Sequence, residues 1–180
     1  MTRVAIIGNA GGGKSTLARW LGAERGLPLY AVDLLQWRPG WRPVPKEVFD
    51  EAHVRWLAEP RWIIDGWGDF EAIEERFQKA DTIVLIDFPV WRHYWWALKR
   101  QFGCLFRARV DGPPGCPMLS MTWPLLKMIR AVDREAMPRL RELVVASGRR
   151  GGKRVFRIRT LAELRAFRGE AERVPKDGKG

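Results

Sequence analysis

The chain has only two cysteines, Cys104 and Cys116, and two histidines, His53 and His93, among its 180 residues. None of them falls at a metal-ligand spacing, which argues against a zinc site, and the cysteines are expected as reduced thiols in a cytoplasmic protein. No apolar run approaches the roughly 18 residues of a membrane span, and a strand pattern stands where a signal peptide would be, so no membrane partner is expected. Internal repeats and linker composition are lacking too. Acid is in short supply: 21 Asp and Glu stand against 32 Lys and Arg, a formal net charge of +11. That balance favours an anionic partner, whether nucleotide phosphates, nucleic acid or an acidic surface, and does not choose among them.

What is present centres on Gly8-Asn9-Ala10-Gly11-Gly12-Gly13-Lys14-Ser15, which meets every fixed position of G-x-x-x-x-G-K-[ST]. Arg3 to Ile7 before it is a short β-branched run, and Leu17, Trp20 and Leu21 after it recur at helical spacing. Strand, turn and helix are the context a phosphate-binding loop needs. Its glycines let backbone N–H groups wrap a polyphosphate without a Cβ in the way. Lys14 supplies a cation for the β- and γ-phosphates and Ser15 a hydroxyl ligand for Mg²⁺. The new helix turns its positive end to the anion. The nucleotide-binding set is therefore Gly8, Asn9, Ala10, Gly11, Gly12, Gly13, Lys14, Ser15 and Thr16.

The first helix is expected from Gly13 to Arg25, stopped by Gly26, followed by a short strand over Leu29–Val32 that ends at Asp33. Ligands of open α/β sheets gather at the carboxyl ends of strands, so Asp33 suits a general base or a binder of a substrate hydroxyl; a helix cap is the other reading. Residues 34–44 read as a loop whose Trp37, Arg38, Trp41 and Arg42 suit a flat anionic ligand or else fold back on the core. A second helix begins at Pro45. A third strand, Arg61–Asp65, ends in another carboxylate, a candidate Mg²⁺ ligand or a turn cap. A helix over Asp69–Lys79 and a strand with an almost unbroken apolar run, Thr82–Asp87, come next.

The fourth helix, Pro89–Phe106, shows an apolar stripe of Trp91, Tyr94, Trp95, Leu98, Phe102 and Leu105. Its basic set, Arg92, Lys99, Arg100 and Arg107, is either solvated or turned toward phosphates. Residues 107–122 form the one long irregular stretch, a lid candidate whose Arg107 and Arg109 could close over a transferring phosphoryl group. A long helix over Ser120–Ser147 should bend near Pro138, with Arg130 and Arg134 either reaching a nucleotide or exposed to solvent. A fifth strand, Lys153–Ile158, precedes a capping box, Thr160–Glu163, and a last helix through Phe167. The sequence thus reads as a single domain over residues 1–168, with a disordered tail over 169–180.

Alternating strands and helices predict a parallel sheet covered on both faces. With the loop at the first turn and the Asp33, Asp65-Gly66 and Asp87-x-Pro89 strand ends, the chain resembles the adenylate-kinase-like P-loop proteins. Within that group it looks most like those labelled DNA topology modulation proteins, or adenylate-kinase-related kinases. The closer likeness rests on Leu27-Pro28, Asp33, Trp37, Pro39-Gly40-Trp41, Trp62 to Gly66, Ala80 to Ile83, Asp87-Phe88-Pro89 and Gly115-Cys116-Pro117. It implies an α/β three-layer P-loop NTPase fold, with a five-stranded parallel sheet in the order 2-3-1-4-5 and a lid insertion. It also implies ATP or GTP with Mg²⁺, held by Ser15 and Asp65, and a phosphotransferase with Lys14, Asp33, Arg107 and Arg109 as catalytic residues. A nucleotide-dependent DNA-binding protein is the alternative. Adenylate kinases follow the third strand with Asp-Gly-Phe-Pro-Arg, whose arginine binds the acceptor's phosphate, whereas this chain has Asp65-Gly66-Trp67-Gly68-Asp69. A carboxylate at Asp69 would repel a nucleoside monophosphate.

Overall fold

The computed structural model describes residues 1–103, 121–149 and 151–173. The first strand, β1 (Arg3–Gly8), leads through the glycine-rich loop into α1 (Lys14–Arg25), which ends on Gly26 in the left-handed conformation. The chain continues through β2 (Leu29–Ala31), α2 (Val32–Gln36), a hairpin of β3 (Trp37–Arg38) and β4 (Arg42–Pro43), and α3 (Lys46–Ala58). Next come β5 (Trp62–Asp65), α4 (Phe70–Lys79), β6 (Thr82–Ile86) and α5 (Val90–Gly103). The described chain resumes before α6 (Thr122–Ala131) and runs through α7 (Met137–Arg149), β7 (Arg154–Ile158) and α8 (Leu161–Arg173).

The main sheet has the order β2-β5-β1-β6-β7 with every pairing parallel, the predicted 2-3-1-4-5 arrangement. Strands this apolar need cover on both faces, and they have it: Val4 to Ile7 and Ile83 to Leu85 are wholly inaccessible to solvent. On one face Phe49, Ile73, Phe77, Met137, Leu140 and Val144 bring in α3, α4 and α7. On the other, Leu17, Leu21, Phe167 and Ala171 bring in α1 and α8. The three-layer P-loop fold follows. Because β5 flanks β1 on one side and β6 on the other, the loop after β1 opens at the switch point of the sheet.

Several elements differ from the sequence reading. Asp33 lies in the first turn of α2 and not at a strand end. The expected loop over 34–44 contains the end of α2 and the hairpin, in which Trp37 pairs with Pro43 and Arg38 with Arg42. The apolar stripe expected on α5 is not its buried face. His93, Ala97 and Gln101 are buried, while Trp91, Trp95 and Phe102 are 59%, 63% and 66% exposed. The long helix after residue 120 is interrupted as expected: Val132–Ala136 winds as a π-helix, with the Met137 N–H donating to Val132 O, immediately before Pro138, which has no N–H to continue an α-helical ladder. The Thr160–Glu163 capping box forms, with the Glu163 N–H donating to Thr160 Oγ1 at 3.1 Å and the Thr160 N–H to Glu163 Oε2 at 3.3 Å. Residues 169–173, expected in a disordered tail, are the last turns of α8, because Ala171 is buried against the α1 face. Cys104, Cys116, Arg107 and Arg109, like most of the lid candidate, lie outside the described residues.

Beneath the β5 end a buried cation organises the backbone. Arg76 of α4 is fully inaccessible and donates through Nη1 to Gly66 O at 2.7 Å and through Nη2 to Trp67 O at 3.0 Å. Burial lowers its pKa to about 10. His53 of α3 stacks on Phe49 and faces Arg76 Nε at 3.5 Å through Nε2 and Glu75 at 3.6 Å through Nδ1. Burial and then the Arg76 charge lower the His53 pKa to about 4, against the opposing pull of Asp69 and Asp50. A histidine depressed in this way binds its proton less readily folded than unfolded. Its contribution to stability is complete above pH 6.5 and is lost as pH falls toward 4. The loss should reach about 3 kcal/mol at most. In urea titrations between pH 7 and 4.5, His53→Gln should flatten the pH dependence of the unfolding midpoint relative to the parent chain; equal slopes would contradict the assignment.

Candidate functional site

The glycine-rich loop is built by the groups that hold its carbonyls. Trp67 donates its indole N–H to Gly8 O at 2.7 Å, Lys14 Nζ lies 3.0 Å from Asn9 O, and His93 Nδ1 lies 2.9 Å from Ala10 O. Burial lowers the His93 pKa, which favours the neutral ring with its Nδ1–H donating to that carbonyl. The Asn9 side chain accepts from the Ala10 N–H at 2.7 Å and donates to Ile129 O at 2.8 Å, tying the loop to the last turn of α6. In a trans peptide N–H and C=O point in opposite directions, so a carbonyl pinned on one side sends the following N–H to the other. No Cβ would fit at Gly8, where it would lie 2.2 Å from Ile86 O; the close seat of the loop on β6 requires glycine.

The Asp65 carboxylate closes the site from below. It is 4% exposed, and burial pushes its carboxyl above the usual range, while Lys14, the Ser15 hydroxyl and Arg76 pull it back and Asp33 pushes it further up. One oxygen, Oδ1, is buried with no hydrogen-bond partner. An orphaned carboxylate oxygen beside a serine hydroxyl is a donor pair that suits Mg²⁺, which takes one or two protein oxygens and completes its shell with water and phosphate. Among the described residues no cluster of three or more His, Cys, Asp or Glu side chains forms a metal cage. Asp69 does not face the site: it caps α4 by accepting from the Ala72 N–H at 2.8 Å and pairs with Lys46 at 3.1 Å. Asp69 is outside the cleft lining.

A cleft of about 1120 Å³ opens over the loop. Ala10 to Ser15 and Thr16 line it, with Asp33, Trp37 and Trp41 beside them, so most of the predicted residues come together. Gly8 and Asn9 are buried behind the lining and act as its frame. Arg38 and Arg42 are exposed and outside the lining, so the expected mixed face of tryptophan and arginine is split: the rings point in and the cations out. Arg130 and Arg134 are likewise exposed and outside it. Sequence reasoning missed Trp96, Leu161, Leu164 and Arg168 as lining residues, and His93 and Arg76 as supports. Among these only Leu161 and Leu164 carried a usable signal, by following a strand end.

No family model matches the chain, and no curated protein matches it, so the narrower resemblance to DNA topology modulation proteins has no support at the level of sequence. Solved structures do resemble it. An uncharacterised protein from Eubacterium ventriosum ATCC 27560 aligns over 97% of this chain and 100% of its own, at 12% identity and a TM-score of 0.50. A shikimate kinase from Aquifex aeolicus VF5 aligns over 80% of this chain and 94% of its own at 18% identity, with a TM-score of 0.41. A sugar kinase from Janibacter sp. HTCC2649 aligns over 73% and 93% at 17% identity, with a TM-score of 0.40. The first likeness is one of fold, and the two kinases superpose too loosely to bear on function. Among the described residues no helix is long and apolar enough to cross a membrane.

Trp67→Phe should keep the ring and leave Gly8 O without its donor, a loss of about 1–3 kcal/mol. The expected result is a lower melting temperature together with a roughly tenfold weaker affinity for ATP, read by calorimetry. Unchanged nucleotide affinity would show that the indole bond does not shape the loop.

Proposed function

We propose that the chain is a P-loop phosphotransferase that moves the γ-phosphoryl group of ATP or GTP to a hydroxyl of a small-molecule acceptor. The observation that carries this reading is the buried Asp65 with its orphaned oxygen, acted on by the charges of Lys14 and Asp33 and by the Ser15 hydroxyl, three residues that line the cleft in front of it.

Phosphoryl transfer asks little covalent chemistry of a protein and depends on positioning and charge. The loop's N–H groups and Lys14 would take the β- and γ-phosphates, and Ser15 and Asp65 would hold Mg²⁺. When bound, that ion would supply positive charge to neutralise the phosphates as charge develops. Asp33 would orient the acceptor hydroxyl. As the acceptor oxygen forms its bond to the γ-phosphorus, the bond to the β–γ bridging oxygen breaks. The nucleoside diphosphate leaves with that electron pair, and the hydroxyl proton passes to Asp33 and on to water. Arg107 and Arg109 are proposed to close over the transferring group.

Lys14→Ala should abolish acceptor-dependent ADP release, a loss of at least a hundredfold in kcat, while circular dichroism stays native. Asp65→Asn should raise the Mg²⁺ concentration needed for half-maximal turnover. Full activity in Lys14→Ala would sink the assignment.

A further inference from the structure

The strand order divides the cleft into two arms with opposite chemistry. Toward β7 and α8 it is lined by Trp96, Lys99, Arg100, Leu161, Leu164 and Arg168, an apolar seat ringed by three cations. Toward β2 it is lined by Asp33, Gln36, Trp37, Trp41, Trp67 and Gly68, with Asp65 behind. That second arm holds carboxylate, amide and indole and, among the described residues, no cation. The arginines nearest it in the fold are engaged elsewhere. Arg76 gives both Nη groups to the carbonyls of Gly66 and Trp67, Arg42 turns back to Pro39 O at 3.4 Å, and Arg38 is exposed outside the lining.

The rings of this arm are held in place. Trp67 is fixed by Gly8 O at 2.7 Å and meets Phe70 edge-on at 6.1 Å. Trp37 and Trp41 meet edge to face at 5.9 Å across the hairpin. Trp41 has a φ of 60°, the one non-glycine residue with positive φ among the described residues. For a bulky side chain that conformation is unfavourable; here it falls in the β3–β4 turn beside Gly40 at φ 76°, so the hairpin fixes the direction of the ring.

We propose that the acceptor is an uncharged planar-ring alcohol, such as a nucleoside or a heteroaromatic alcohol of similar size, seated among Trp37, Trp41 and Trp67 with its hydroxyl at Asp33. The same ring carrying a phosphate is rejected. This rests on the phosphotransferase reading, and it deepens it by fixing the acceptor's class. Stacking on indole rings tolerates many ring types, while an acceptor phosphate placed against Asp33 and Asp65 would meet like charge.

The test uses the full chain saturated with Mg²⁺ and a non-hydrolysable ATP analogue. Adenosine, cytidine, thymidine and pyridoxine are titrated by calorimetry against their 5′-monophosphates, and ADP release is followed with ATP itself. At least one neutral ring should bind tenfold or more tightly than its phosphorylated partner. Trp41→Gly, whose new residue accepts a φ of 60° without strain, should weaken that binding about tenfold. Asp33→Asn should keep the binding and lose turnover by a hundredfold or more. Monophosphates that bind as tightly as the neutral rings, or the binding of none of the eight, would overturn the proposal. ADP release driven by a monophosphate would leave the phosphotransferase reading standing and remove this one. Binding of a neutral ring that depends on Trp41, with no ADP release from any acceptor, would keep the ring site and remove the phosphotransferase reading.

Discussion

The arrangement depends on keeping the Asp65 carboxylate where water cannot reach it. Burial alone would favour its neutral form, and a neutral acid is a poor ligand for a cation. Lys14 acts from the loop above and Arg76 from the helix below, so the carboxylate is set between two cations on different elements. Neither cation is itself cheap to bury, and Arg76 offsets part of that cost by donating to the carbonyls of Gly66 and Trp67. The same bonds position Trp67, which in turn donates to Gly8 O. A single buried arginine therefore connects the charge state of the β5 end with the shape of the loop at the β1 end.

The division of the cleft follows from topology more than from any local motif. With β1 in the centre, one half of the sheet can only deliver the α8 side and the other half only the hairpin side. The cations Lys99, Arg100 and Arg168 therefore fall on the first side of the cleft and Asp33 on the second. The roof is shared: Pro124, Leu125, Met128 and Val132, from α6 and the π-helical turn that follows it, cover the cleft, and Asn9 binds Ile129 O there. Because that bond joins loop to roof, a change in one is felt by the other.

The loop, the sheet order and Asp65 at the end of its strand were legible because each follows from a local rule: a glycine pattern, an apolar run, a polar residue where the run stops. Glu163 and Thr160 were equally plain, as a capping box reads from four letters. What escaped was whatever depends on an opposite wall. Trp37 and Arg38 look alike in composition, and only the pairing of β3 with β4 decides which faces the cleft. Asp69 stands in sequence where an acceptor-site residue is expected, yet its partners are the Ala72 N–H and Lys46, the latter more than twenty residues away. Arg76, in a helix of Glu, Gln and Lys, carries no mark in the sequence of being the one that is buried.

The faces of α5 show the same limit most sharply. A period of three and four apolar residues ordinarily marks the side that meets the core, and Trp91, Trp95, Leu98 and Phe102 follow it. That rule assumes a partner surface far enough away to admit large side chains. Here the partner is the glycine-rich loop: a Cβ added at Gly11 would come within 2.7 Å of His93 O and 3.3 Å of the Ala97 side chain. At such an approach only Ala97 and the flat, hydrogen-bonded His93 can lie against the loop, and Trp91 and Trp95 are turned to solvent. The constraint that fixes the phosphate loop thereby overrides amphipathic patterning in the helix behind it. Of the apolar surface that α5 does bury, Val90, Tyr94 and Ala97 meet Leu125 and Ile129 of α6, so the helix is held between loop and roof.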